Sequence, residues 1–331
     1  MYGSLWYLGN ARGSMSTGLV ALTGGTGFIG RYLLQTLPQR GYELRVLVRS
    51  ATALPAKCRS AVIGDLARPL NLAAALEGVE AVVHSAGPST AMSGAPELDH
   101  RSLTPEATVM FARAAQRAGV RRFIFLSSIA AQCSSRAYET LTEEMEPRPA
   151  EAYGLSKLAA ERGLAELDIE WVALRPVLVY GPGMKGNMAR LFRIARSPMP
   201  LPFARLDARR SLLSLENLVD AIHTVLTTRA QLRRPFIVAD PAALTVAEML
   251  AAIRFGLGRR PGLFPVPVQY LKAALRTVGR EKDLRLLTEP LVASAAALRG
   301  LGWEPSISTP SGLAALAKLD RGGDDRAPTS S

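Results

Sequence analysis

With 331 residues, 48% of them apolar, and a formal charge of +12, the chain is long enough for one large α/β domain with a smaller second lobe, and its composition excludes global disorder. No apolar run reaches the roughly 18 residues of a membrane span, and the two cysteines, Cys58 and Cys133, form no disulfide framework and suit a reducing cytosol. The arginines are spread along the chain without a basic run or interleaved aromatics, so the charge reads as surface character that attracts phosphate-rich ligands rather than as a nucleic-acid footprint.

Residues 1–17 form an N-terminal extension expected to be disordered; it lacks the apolar middle of a signal peptide, and Met15 is a second candidate start. The first strand is the apolar run Leu19–Leu22. It leads into Thr23-Gly24-Gly25-Thr26-Gly27-Phe28-Ile29-Gly30, where Gly24, Gly27 and Gly30 recur at every third position. Ile29, Leu33, Leu34 and Leu37 then keep a helical spacing, so a helix starts at the last glycines with its positive end towards an incoming pyrophosphate. Strand, glycine turn and amphipathic helix together read as a dinucleotide site contacting Gly24, Gly27, Phe28, Ile29 and Gly30.

A second strand, Tyr42–Val48, ends in Arg49-Ser50. An NAD site places a carboxylate near such a strand end to hold the ribose hydroxyls, whereas an arginine pairs with the extra phosphate of NADP. Arg49 stands there and no Asp or Glu does, which favours NADP (NADPH), with NAD as the alternative. Residues 61–66 read as a third strand ending in Asp65-Leu66, and 81–87 as a fourth, ending in Ala86-Gly87. A Pro/Ser/Gly-rich loop over 88–97 precedes a helix over about 98–118.

The fifth strand, 122–128, ends in Ser127-Ser128 at the edge where open α/β sheets bind ligands. After a proline-containing loop comes Tyr153-Gly154-Leu155-Ser156-Lys157. Tyr153 and Lys157 are four residues apart on one helical face, so the ammonium is expected to lower the phenol pKa and make Tyr153 a general acid/base. A sixth strand, 169–174, runs into Arg175-Pro176 and Tyr180-Gly181-Pro182-Gly183. Thr245 and Glu248 form a capping box. A proline-punctuated bend, 264–267, precedes further helices, and from Arg321 the chain reads as a frayed tail.

The Thr-led GxxGxxG turn, Ser128, the Tyr153–Lys157 pair and the Leu174-Arg175-Pro176…Tyr180-Gly181-Pro182-Gly183 turn resemble the extended branch of the short-chain dehydrogenase/reductase family over roughly residues 18–320. The resemblance implies a doubly wound parallel sheet (Rossmann) over 18–180, to which some later segments return. It also implies a smaller substrate-binding lobe mainly over 181–320 and a disordered tail over 321–331. It makes Ser128, Tyr153 and Lys157 the catalytic set, and adds Asp65, Leu66, Ala86 and Pro176 to the cofactor contacts. Asn187 and Arg210, with Ser128, become substrate contacts, and Arg209 is the neighbouring, weaker candidate. Arg210 matches an arginine that reaches the nucleotide diphosphate, a task suited to a planar fork. His84 is expected to be a packed strand residue, and no metal site is expected.

Two departures are informative. Thr104-Pro105-Glu106-Ala107-Thr108 replaces the family's Asn-x-x-x-Thr turn, and Ile129-Ala130 stands where sugar 4,6-dehydratases carry Asp-Glu, which argues against dehydration. The pattern after Tyr180 is most similar to UDP-sugar enzymes of surface-polysaccharide synthesis. The expected activity is NADPH-dependent reduction of the 4-keto group of a UDP-2-acetamido-2,6-dideoxy sugar, as in making UDP-N-acetylquinovosamine. A UDP-sugar 4-epimerase is the alternative, and a non-catalytic dinucleotide-binding scaffold ranks low because Ser128, Tyr153 and Lys157 are all retained. The resemblance further implies a cytoplasmic protein that dimerises through the Tyr153 helix.

Overall fold

Short β-branched and leucine-rich runs alternate with helices of 3.6-residue periodicity, a pattern that builds a parallel sheet covered on both faces. The computed structural model describes residues 17–55, 58–87, 105–277 and 288–324. The expectations for the first 16 residues, the 88–97 loop, the start of the following helix, Thr104 and the last seven residues lie outside these.

In chain order the sheet strands are β1 (Thr17–Thr23), β2 (Tyr42–Val48), β3 (Cys58–Val62), β4 (Ala81–His84), β5 (Arg122–Leu126) and β6 (Glu170–Pro176). Arg233–Val238 returns later as β10 and completes seven strands in the order β10-β6-β5-β4-β1-β2-β3. All of the pairings are parallel. The order reverses between β1 and β4, so their C-terminal ends open a crevice at the switch point. Register aligns Thr23 with His84 and His84 with Phe125 along that edge.

Helices α1 (Phe28–Thr36) and α6 (Leu215–Thr227) bury Leu33, Leu34, Leu218 and Ile222 on one face of the sheet. On the other face, α3 (Pro105–Arg117) and α4 (Ala152–Ala165) bury Phe111, Ala115, Ala160 and Leu164, beyond the short α2 (Leu72–Leu76). The doubly wound architecture is therefore present.

A separate apolar cluster holds the C-terminal lobe together. It joins α5 (Gly186–Ala195), α7 (Val246–Gly256) and α10 (Thr309–Asp324), with Leu191, Phe192, Leu250, Ile253 and Leu313 at its centre. Two small ladders support it: β7 (Leu178–Tyr180) on β9 (Leu212–Ser214), and β8 (Arg209–Arg210) on β11 (Leu244–Thr245). Two further helices, α8 (Val268–Thr277) and α9 (Ala296–Arg299), complete the described α-helices. The capping box opens α7 as expected, with both reciprocal bonds between Thr245 and Glu248.

Several boundaries differ from the sequence expectation, among them β4, which ends at His84 rather than Gly87, and β6, which runs to Pro176 rather than Leu174. β3 covers Cys58–Val62 rather than 61–66, because Gly64 takes a positive φ of 67° and turns the chain away after Ile63. β5 stops at Leu126, two residues before Ser128, and α10 carries its helix four residues into the expected frayed tail.

Candidate active site

The glycine turn leaves β1 with Gly24 at φ 70°, and a Cβ there would lie 2.6 Å from the backbone nitrogen of Ala86. At Gly30, one turn into α1, a Cβ would meet the Gly24 carbonyl oxygen at 2.0 Å. Both glycines thus let the turn, the end of β4 and the helix close on one another. Gly27 is the N-cap of α1; no side chain caps it and no acid occupies the first turn, so the amides at that end face outward uncapped. An exposed helix start with free donors and positive dipole fits a pyrophosphate. Phe28 and Ile29 are half-buried there, and Gly27 is exposed.

At the β2 end Arg49 is exposed, and it has no ion-pair or hydrogen-bond partner among the described residues. Asp65 is exposed in the turn after Gly64, where its Oδ1 accepts from the Ala67 amide at 2.9 Å, and Leu66 is buried beneath it. Ala86 is half-buried beside the glycine turn, while Pro176 is buried at the end of β6.

His84 is fully buried among Phe111, Phe123 and Phe125. Its ring nitrogens bond the hydroxyls of Thr23 at 2.8 Å and Thr108 at 3.3 Å. Burial, with the nearby Lys157 charge, pulls its pKa down to about 3, so it stays neutral. It is the packed residue expected, and it ties the ends of β1 and β4 to α3.

Ser128, Tyr153 and Lys157 come together at the C-terminal edge of β5. Ser128 N-caps a short 3-10 turn, Ile129–Ala131, and its oxygen accepts from the Ala130 amide at 3.2 Å. Gly154 lets α4 press on that turn: a Cβ would stand 2.1 Å from the Ala130 carbonyl oxygen. The close approach sets the Ser128 hydroxyl near enough to the Tyr153 phenol to pull its pKa down. Lys157, one helical turn on, is buried and donates to the Leu126 carbonyl at 2.9 Å. Its ammonium lies 5.8 Å from the centre of the Tyr153 ring and 4.5 Å from that of Phe125. A small cleft lined by Ala86, Gly87, Phe125, Tyr153, Ser156 and Lys157 runs alongside.

The electrostatics differ from the expectation in one respect. Burial raises the Tyr153 phenol above its ordinary value, with the Ser128 hydroxyl pulling the other way, so the lowering expected from Lys157 is absent. The Lys157 ammonium donates to the Leu126 carbonyl rather than to the phenol. Lys157 itself is pulled down to about 8 by burial, against the attraction of Glu161. A phenol close to a hydroxyl, beside an ammonium that titrates at about 8, can move a proton at an alcohol or carbonyl oxygen.

Beneath these groups lies a buried network that spacing alone did not single out. Glu161, four residues past Lys157, receives Arg175 from β6 at 2.5–3.1 Å and the Ser127 hydroxyl at 2.5 Å. Arg175 also bonds Gln132, which in turn reaches the Met145 carbonyl. The available signal was a glutamate at i+4 from the lysine on the buried face of α4.

The substrate candidates lie apart from this cluster in the bond network. Asn187 is half-buried in the first turn of α5. Arg209 is exposed and engaged by Glu248 at 3.0 and 3.1 Å and by the Ala243 carbonyl at 2.8 Å. Arg210 is half-buried and donates to the carbonyls of Glu289 at 2.7 Å and Ser135 at 3.3 Å, which links it to the segment that follows Ser128. Among the described residues no cluster of His, Cys, Asp and Glu could hold a metal, and no helix is long and apolar enough to cross a membrane.

Known proteins share the sequence and the fold. A UDP-glucose 4-epimerase of Vibrio cholerae is 32% identical over 297 residues, covering 86% of this chain and 90% of the relative. A ceramide reductase of Caulobacter vibrioides is 30% identical over 301 residues, 89% of this chain and 81% of the relative. A solved structure of a protein in complex with UDP-glucuronic acid and NAD is 25% identical, superposes with a TM-score of 0.72, and covers 92% of this chain and all of that one. A UDP-N-acetylglucosamine 4-epimerase from Bacillus cereus, at 21% identity, shares the fold with a TM-score of 0.73 over 92% of this chain and 99% of its own. The model of the NAD dependent epimerase/dehydratase family matches residues 20–239. This chain belongs to that family, and it is an NAD(P)-dependent enzyme of the short-chain dehydrogenase/reductase type.

Proposed function

We propose that the protein interconverts UDP-sugars by oxidising and re-reducing the carbon at position 4, as a UDP-sugar 4-epimerase. The observation that carries this reading is the convergence of Ser128, Tyr153 and Lys157 at the sheet edge beside the glycine turn. The Vibrio cholerae relative, whose length the chain nearly spans, supports the choice of substrate. A bound nicotinamide would supply reversible hydride acceptance. Tyr153 moves the proton between its phenol oxygen and the sugar hydroxyl, and Ser128 holds that oxygen as its charge changes. Lys157 supplies positive charge under the ring. Asn187 and Arg210 contact the nucleotide diphosphate in this reading. Ile129 and Ala130 offer no acid or base for elimination of water, which supports a route without dehydration.

Arg49 favours a second reading, the NADPH-dependent 4-keto reductase. It is exposed at the β2 end with no carboxylate beside it, which suits a dissociable NADP. One experiment separates the two. Protein loaded with NAD should convert UDP-glucose or UDP-N-acetylglucosamine to the 4-epimer without net cofactor consumption. Stoichiometric loss of NADPH with a UDP-4-keto-6-deoxy-N-acetylhexosamine, and no epimerisation, would establish the reductase instead. A homodimer through the outer face of α3 and α4 belongs to the same reading, and Met110 and Leu155 are each about half exposed there, at 52% and 51%.

A further inference from the structure

The positive charge is not spread evenly over the folded molecule. Residues 185–206 contain five Lys or Arg and no Asp or Glu, and residues 249–277 contain five and none, so together they hold most of the net +12. The fold makes them neighbours. Arg254, only 3% exposed, reaches five main-chain carbonyls: those of Ala195, Ser197 and Met199 in the first segment, and Pro261 and Gly262 in the second. Backbone bonds continue the seam, from the Leu201 amide to Gly262 at 2.9 Å and from the Phe264 amide to Leu201 at 3.0 Å. Packing thus gathers basic residues that are scattered along the sequence.

The same seam exposes large apolar side chains. Met199 is 67% exposed, Phe264 43% and Tyr270 64%, while Val268 and Leu271 fasten α8 to the lobe's core. Met199 lies between Pro198 and Pro200, and Phe264 precedes Pro265. Proline has no amide hydrogen, so loops of this kind enter a region poor in water with fewer unmet donors. Around them Arg193, Arg205, Arg259 and Arg260 are exposed. The acids nearby are Asp320, which pairs with Arg196, and Asp207.

We propose that this face of the C-terminal lobe docks on an anionic lipid bilayer. The Met199 and Phe264 loops sit among the headgroups, and the surrounding arginines lie against lipid phosphates. Basic side chains around exposed apolar ones are the pattern of a peripheral membrane surface. A nucleic-acid surface is less well matched, because the two segments carry few amide or hydroxyl side chains that could read bases.

The test is co-sedimentation of the full chain with vesicles of phosphatidylglycerol mixed with phosphatidylcholine, and with phosphatidylcholine alone. Binding is expected only to the anionic vesicles. It should fall steeply as salt rises from about 0.1 M to 1 M, which shortens the screening length from about 10 Å to 3 Å. Arg205→Glu with Arg260→Glu should weaken it roughly 30-fold or more, and Met199→Ser with Phe264→Ser should also weaken it. Both double variants are expected to unfold at the wild-type temperature and to turn over soluble nucleotide-sugar normally. Absence of vesicle binding at low salt, equal binding to neutral vesicles, or a response of RNA binding alone to the charge reversals would overturn the proposal. Unchanged vesicle binding by the Met199/Phe264 variant would do so as well. None of these results bears on the activity proposed above.

Discussion

Glu161 and Arg175 form an ion pair at 2.5 Å with side chains only 4% and 3% exposed, and Glu161 stands one helical turn past Lys157. Two charges this deep are tolerable because each is multiply bonded: Glu161 also accepts from Ser127, and Arg175 also from its side donates to Gln132. Removing one partner strands the other. Glu161→Ala is predicted to lower unfolding free energy by about 3–5 kcal/mol in a urea titration.

Glu161→Gln tests a subtler coupling. The carboxylate holds the Lys157 pKa up against burial, at about 8. Without that charge the ammonium loses its proton at lower pH. If turnover requires charged Lys157, the alkaline fall in activity should begin at a lower pH in Glu161→Gln than in the wild type. A pH–rate profile in which the two alkaline limbs coincide would exclude Glu161 as the positioning residue for Lys157.

Tyr153→Phe removes the phenol oxygen near Ser128 and leaves the ring beside Lys157. Turnover of UDP-sugars should drop by about 10²–10⁴-fold, the usual share of a general acid/base. Dinucleotide binding, followed by fluorescence, should hardly change. Preserved turnover with normal folding would refute the role given to Tyr153.

Gly154→Ala places a Cβ against the Ala130 carbonyl, which is backbone and cannot swing aside. Either α4 or the 3-10 turn after Ser128 must move, so Ser128 and Tyr153 shift relative to one another. A loss of about 1–3 kcal/mol is expected from overpacking, together with a fall in kcat larger than any change in KM. Loss of stability with unchanged kcat would show that this contact does not set the catalytic geometry.

Local patterns in the sequence carried much of this. β2 falls on Tyr42–Val48 as its apolar run implies, and Tyr153 and Lys157 share a face of α4 because helical periodicity is local. β3 was misplaced because it is an edge strand whose outward residues, Arg59 and Ser60, are polar, while the apolar Ile63 lies past its end. The Glu161–Arg175 pair was hidden because its partners sit on a helix and a strand that meet only through packing. Direction was equally invisible: spacing places Lys157 beside Tyr153, but only the fold turns its ammonium to Leu126.

Arg49 is predicted to set cofactor preference. Arg49→Asp should lower affinity for NADPH and raise it for NADH, because a carboxylate repels the extra phosphate and accepts from ribose hydroxyls. Titration of both cofactors with wild type and variant checks this. An unchanged ratio would leave Arg49 as an exposed strand-end arginine and remove the support it lends to the reductase.

Asp240, 3% exposed, joins the sheet domain to the C-terminal lobe. Its Oδ1 accepts from Asn217 at 2.7 Å and the Ser214 amide at 3.2 Å, and its Oδ2 from Tyr180 at 3.2 Å and Thr309 at 3.3 Å. Burial outweighs these bonds and raises its pKa from 3.8 to about 6. A carboxyl that binds its proton more tightly when folded stabilises the fold most below its unfolded pKa, and that contribution is lost as pH rises through the folded value. The wild type should therefore lose about 3 kcal/mol from this group between about pH 4 and 6. Asp240→Asn keeps the shape and never ionises, so its stability relative to wild type should climb by that amount across the same window. Urea unfolding at a series of pH values measures it, and a flat difference between the two proteins would show that Asp240 is already charged in the folded state at pH 4.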